Sequence, residues 1–174
     1  MEYIRRINFI LLIFLNMKRK IIMISIDAST ESTGVAIWEN GKLSTTTLLN
    51  YSDIKNSDIR IETMCKNLIL VLDKYKPCVV YIEDNYVGRN PKTQKQLCRI
   101  QGAVFGWCIL KDSYFETMTP SSWRKYIPEF PKNAKRDIAK EFSKQYVLKN
   151  YNLDCIDDIS DAILIGEAML KKYE

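Results

Sequence analysis

Apolar and polar positions along the chain switch between two periods. Ile21 to Ile26 is an apolar run ended by a single carboxylate, Asp27, and reads as a buried strand. A turn rich in Ser and Thr follows. Gly34 to Trp38 is a second apolar run, placed to return beside the first as a hairpin. Glu39-Asn40-Gly41 marks a tight turn, because Asn-Gly supplies the positive φ angles of a type I′ hairpin. Lys42 to Leu49, rich in Thr, continues as a third strand.

The period then lengthens. Ile61, Met64, Cys65, Leu68, Val71, Leu72 and Tyr75 fall on one face of a helix over Arg60 to Tyr75. Ser57 is the expected cap and Lys76-Pro77 the stop. Cys78 to Ile82 is a continuous apolar run, read as a fourth strand that ends in Glu83-Asp84. Asn85 to Thr93 is a loop. Lys92 or Thr93 opens a helix to about Cys108, with Leu97, Ile100, Val104 and Cys108 inward. Tyr114 to Met118 is a fifth strand, and Thr119 to Lys125 a short helical turn broken by Pro128 and Pro131. A basic helix over Lys135 to Asn150 turns Ile138, Phe142 and Tyr146 to one side, and Asp157 to Tyr173 is the last helix.

This order predicts an α/β fold: a mixed five-stranded sheet, three antiparallel strands then parallel ones, flanked by helices on both faces. The functional crevice of such sheets lies at the strand ends. Strands one and four lie together at the centre, which sets Asp27 beside Glu83.

Composition narrows the chemistry. The 174 residues suit one domain, expected over 20–174 behind a dispensable extension over 1–19. Within that extension Ile7 to Leu15 is apolar behind Arg5-Arg6. It is shorter than the roughly 20 residues a bilayer needs and has no small-x-small cleavage site after it; Met17 or Met23 is the expected working start. A net charge of +5 permits a polyanionic partner without demanding one. Five cysteines, an odd number without Cys-x-x-Cys spacing, read as reduced thiols of an intracellular protein. The chain has no histidine. That excludes every scheme built on imidazole and leaves carboxylates, lysines, hydroxyls or a metal to run any hydrolysis.

Four acids stand out: Asp27, Glu83, and Asp158 with Asp161, three residues apart on one face of the last helix. Asp157 points elsewhere. Singly, each has a structural explanation as a cap, turn or strand-end residue. Together they repel, and a bound cation makes such a cluster worth keeping. Hard oxygen ligands without His or Cys select Mg²⁺ or Mn²⁺. Two ions about 3.5–4 Å apart can activate water and stabilise the leaving oxygen of a phosphodiester.

Asp27-x-Ser29-x-x-x-Thr33-Gly34-x-Ala36, then Tyr81-Ile82-Glu83 closing a strand, then Asp158-x-x-Asp161-Ala162 opening the last helix, resembles the RuvC-like Holliday junction resolvases of the RNase H-like superfamily. The resemblance covers about residues 20 to 172. It implies an RNase H-like fold and a homodimer that resolves four-way DNA junctions with two Mg²⁺ ions per site, leaving 5′-phosphate ends. The compact chain and its N-terminus suit a phage or other viral genome, with the cytoplasm of a bacterial or virus-infected cell as the expected compartment and an organelle or viral factory as the alternatives. Asp27, Glu83, Asp158 and Asp161 match the family's metal-binding catalytic acids. Tyr86 falls where the family has an aromatic that enters the junction centre, and Arg89 with Asn90 matches a basic-Asn pair that follows it. Arg124 and Lys135 fall near two functional lysines; arginine for lysine at the first is a departure, since the two cations are not interchangeable. Lys132 joins Lys135 as an expected phosphate contact, and most lysines over 132–149 form a solvated helix face. Small residues in Gln101 to Trp107 suit either a dimer face or packing on the sheet.

Two other readings compete. The Asp–Thr–Gly hairpin is shared by actin-like phosphotransferases and ATPases, which need two such domains around a nucleotide cleft. A non-catalytic junction-binding protein with a relic acid site is the other.

Overall fold

Alternation along one central strand organises the molecule. The computed structural model describes residues 20–84 and 90–173; the expected N-terminal extension lies outside them, as do Tyr86 and Arg89. The elements are β1 (Ile22–Asp27), β2 (Ser32–Glu39), β3 (Lys42–Asn50), α1 (Ser57–Tyr75), β4 (Val79–Glu83), α2 (Pro91–Leu110), β5 (Tyr114–Met118), α3 (Pro120–Trp123) running into a 3₁₀ turn (Arg124–Tyr126), α4 (Arg136–Tyr151) and α5 (Asp157–Lys172).

The sheet order is β3-β2-β1-β4-β5. β1, β2 and β3 pair antiparallel, and β4 and β5 run parallel to β1, which is the expected mixed sheet. The β2–β3 turn holds Asn40 at φ 51° and Gly41 at φ 76°, the left-handed pair a type I′ turn requires.

Successive β1 side chains leave opposite faces. Ile24 and Ile26 join Val35, Ile37, Val80 and Ile82 under α1 and α2. Met23 lies on the other face with Ala36, Trp38, Val79 and Tyr81, against α5. Ser25 shares that face: its hydroxyl donates to the Ala162 carbonyl (2.7 Å) and accepts from the Trp38 indole N–H (2.9 Å). By the same alternation Asp27, and Glu83 after Val79 and Tyr81, face α5.

Three local expectations are corrected. Asn56, not Ser57, caps α1, accepting from the Asp58 and Ile59 amides. α2 begins earlier, at Pro91, behind the cap residue Asn90; proline suits that position because its missing N–H would have no partner there. α4 is rotated from its expected face. Ala139, Ser143 and Val147 are buried, whereas Ile138 is 55% exposed and Phe142 and Tyr146 are partly buried beside them. Small side chains let α4 close on α5, and Phe142 lies to one side, meeting Phe130 edge-on at 4.8 Å between ring centroids.

Candidate active site

Strand pairing brings the first two acids together. Ile26 pairs with Ile82 in parallel register, so one rung further Asp27 lies beside Glu83 at the C-terminal ends of the two central strands. Asp27 is also the antiparallel partner of Gly34. That glycine is where α5 arrives: a Cβ at Gly34 would stand 1.9 Å from the Asp158 carbonyl oxygen. Backbone thus rests on backbone, and the N-terminal end of α5 carries Asp158 and Asp161 to the mouth of β1. A second close approach anchors the helix further along, where a Cβ at Gly166 would meet the Trp38 indole nitrogen at 2.2 Å. Gly34→Ala is therefore expected to fold but to push α5 outward. Because a misplacement of about 1 Å costs on the order of a hundredfold in rate, its activity should fall at least that far, while far-UV circular dichroism stays near wild type.

Protein donors already hold two of the acids. Ser32 Oγ donates to Asp158 Oδ2 at 2.5 Å, and the Trp123 indole N–H donates to Glu83 Oε2 at 2.8 Å. Asp161 Oδ1 is buried without a hydrogen-bond partner. Asp157 pairs with Lys140, and its charge still reaches Asp161 and adds to the rise of that carboxyl.

The electrostatics follow from this crowding. Burial raises the Asp27 carboxyl well above the usual range, and the charges of Glu83, Asp161 and Asp158 raise it further, with Lys140 opposing them. Burial pushes Glu83 up to about 7; the Trp123 N–H opposes that and Asp161 adds to it. Burial also raises Asp161, against the Ser143 hydroxyl and the Arg124 charge.

Among the described residues no three acids close into a ready-made metal cage. The donor chemistry nevertheless fits a hard divalent cation. The charges of Glu83, Asp161 and Asp158 all reach Asp27, no imidazole or thiol is among them, and the orphaned Asp161 Oδ1 needs a positive partner.

The basic residues divide. Lys132 and Lys135 are exposed, with Lys135 at the N-cap position of α4. Arg124 lies over the rings of Trp123 and Phe130, 5.1 Å from each centroid. Asn90 spends its side-chain oxygen on the Lys92 and Thr93 amides, a capping role beside the expected DNA contact. Three site residues were not singled out from sequence: Ser32, Trp123 and Lys140. For Trp123 a signal exists, since a tryptophan in so polar a run needs a partner for its N–H.

A mixed five-stranded sheet with clustered carboxylates at the ends of its two central strands defines an RNase H-like acid-site domain. The model of the family described as crossover junction endodeoxyribonuclease RuvC matches residues 23–168, and the chain belongs to that family. It is 30% identical over 147 residues to the crossover junction endodeoxyribonuclease RuvC of Campylobacter concisus, covering 83% of this chain and 92% of the relative. Solved structures share the fold. T. thermophilus RuvC in complex with a Holliday junction substrate superposes with a TM-score of 0.67 at 14% identity, over 87% of this chain and 93% of that one. The yeast mitochondrial Holliday junction resolvase Ydc2 gives 0.60 at 13% identity, over 93% and 82%.

Proposed function

We propose that this chain is a structure-selective endonuclease that resolves four-way DNA junctions by metal-dependent phosphodiester hydrolysis. The observation that carries the reading is the convergence of Asp27, Glu83 and the first turn of α5 at one strand end, in a chain of the RuvC family. Asp27, Glu83, Asp158 and Asp161 would hold Mg²⁺, or Mn²⁺ in its place, with two ions per site. Bound there, the metal supplies an activated water and charge stabilisation at the leaving oxygen.

The chain's own groups do the rest. The four carboxylates set where the reacting phosphate lies. Arg124, over the rings of Trp123 and Phe130, and the exposed Lys132 and Lys135 bind flanking phosphates, together with Arg89. Tyr86 enters the junction centre. Lys135, exposed at the N-cap position of α4, is assigned in addition to the reacting phosphate. Hydrolysis leaves a 5′-phosphate and a 3′-hydroxyl.

Symmetric cutting of two opposed strands calls for two copies. The outer side of α2 suits that contact. Added Cβ atoms at Gly102 and Gly106 would meet nothing within 4 Å, and Phe105, Ile109 and Leu110 beside them are exposed. Among the described residues no helix is long and apolar enough to cross a membrane, and the working compartment under this reading is the cytoplasm. The domain doing this work spans residues 20–174, without need of 1–19.

The deciding experiment compares a synthetic four-way junction with linear duplex of the same sequence, with Mg²⁺ and with EDTA. Paired nicks in the junction alone, lost in EDTA, are expected; equal cutting of both substrates, or none of either, would overturn the reading. Junction affinity should also fall steeply with salt. Lys132→Ala and Lys135→Ala should each weaken binding and lower the slope of log affinity against log salt by about 1, measured by fluorescence anisotropy.

A further inference from the structure

The short helix α3 follows β5 after one residue and places a tryptophan over the end of β4. Trp123 is fully buried, and its N–H is its one polar atom. Each of the chain's three tryptophans has a hydrogen-bond acceptor. Trp38 donates to Ser25 and Trp107 to Asp73, both away from the acid cluster. Only Trp123 donates to an acid of the site, Glu83 Oε2 at 2.8 Å. Phe130 meets the indole ring edge-on at 5.7 Å, and the Arg124 guanidinium covers it. The ring cannot turn without disturbing both, so the direction of the N–H is fixed by packing.

We infer that Trp123 is a positioning residue for the metal: its N–H holds one oxygen of Glu83, so that the carboxylate presents the other to the cation with its rotation already fixed. The inference rests on the metal-dependent nuclease reading above and adds to it a residue outside the four acids. A carboxylate held this way loses less freedom when it binds a cation, and removing such a support typically costs 10–100-fold in metal affinity or activity. Phenylalanine at 123 keeps a ring for Phe130 and Arg124 but has no donor.

The test is a Mg²⁺ and Mn²⁺ titration of the full chain, wild type against Trp123→Phe, read in two ways. Without DNA, thermal shift should show the half-saturating metal concentration raised about 10–100-fold in the variant. With a four-way junction, the metal concentration for half-maximal cleavage should rise by the same factor. The rate at saturating metal and the junction affinity in EDTA should change much less. A tryptophan that only packs would lower the melting temperature and the rate together and leave the half-saturating metal unchanged; that result overturns the inference. Should Trp123→Phe fail to fold, the wild-type indole itself reports. With Trp38→Phe and Trp107→Phe leaving Trp123 as the one indole, emission should shift on adding metal without DNA, and the shift should vanish in Glu83→Gln; a shift that survives in Glu83→Gln, or no shift with Trp123 alone, overturns the inference. If wild type binds metal but cuts no junction, the nuclease reading fails while these DNA-free titrations still decide the role of Trp123.

Discussion

Asp27→Asn is expected to abolish junction cleavage, by on the order of a thousandfold or more, while leaving junction binding intact and making the metal-free protein more stable. Asparagine is nearly isosteric, so β1 keeps its register with β2 and β4 and Gly34 still receives α5. What disappears is one negative charge at the point where the acids meet. The metal loses a central ligand, and a thousandfold in rate corresponds to ~4 kcal/mol of transition-state stabilisation. Phosphate contacts are made by other residues, so binding persists. Stability moves the opposite way. Asp27 is buried and lies in the field of Glu83, Asp161 and Asp158; a neutral amide removes that repulsion. Each kcal/mol of relief should raise the melting temperature in EDTA by roughly 2–4 °C for a chain of this size. Cleavage assays, anisotropy in EDTA and thermal shift together make the check. Wild-type cleavage by Asp27→Asn would end the mechanism, and a lower melting temperature would show the acids are held apart better than their burial indicates.

Such opposition between stability and function explains which parts of the molecule could be read from sequence. The sheet was legible because its signal is local: Ile24 and Ile26 on one face, Met23 and Ser25 on the other, and Asn40-Gly41 with only one good turn to make. The acids were legible for the converse reason, since Asp27 at the end of an apolar strand makes no sense alone. Facts that depend on two helices meeting were not legible. The inward face of α4 lies one position on from its most apolar stripe: Ala139, Ser143 and Val147 are buried, while Ile138 is exposed and Phe142 and Tyr146 pack at the edge. Lys140 was lost among the lysines of that helix, and its place beside Asp157 follows from the same rotation. Gly34 read as part of a hairpin; that it admits the Asp158 backbone is a property of the packed helix. Ser57 and Asn56 compete for one cap, and the residue that accepts both amides wins.

The second large effect is in pH. The metal-free protein is expected to lose stability as pH rises from about 4.5 to about 7, the reverse of ordinary acid denaturation. Glu83 titrates near 7 in the fold against 4.5 for a free glutamate. Between those values the folded state holds a proton that the unfolded state has released, so raising pH favours unfolding. At ~1.4 kcal/mol per pH unit, Glu83 alone accounts for on the order of 3 kcal/mol across that window. Asp27 and Asp161, also raised, act in the same direction. The lowered acids do not mask this. Asp157 is held down by Lys140, and Glu39, Glu62 and Glu141 by their own partners; their contributions are present above their ordinary values of 3.8–4.5 and are lost only below them. A divalent cation reverses the trend, because it binds the ionised acids and stabilises the fold by mass action. Stabilisation by Mg²⁺ should therefore grow from pH 5 to pH 8, and cleavage should fall as pH drops below about 7 and Glu83 takes up its proton. Thermal shift in EDTA and in Mg²⁺ across this range, for wild type and Glu83→Gln, separates the terms. The variant should show a flatter profile in EDTA and a smaller gain from metal. A wild-type melting temperature that rises steadily from pH 5 to 7.5 in EDTA, unchanged in slope by Glu83→Gln, would mean that the strand-end acids are not the strained centre of this fold.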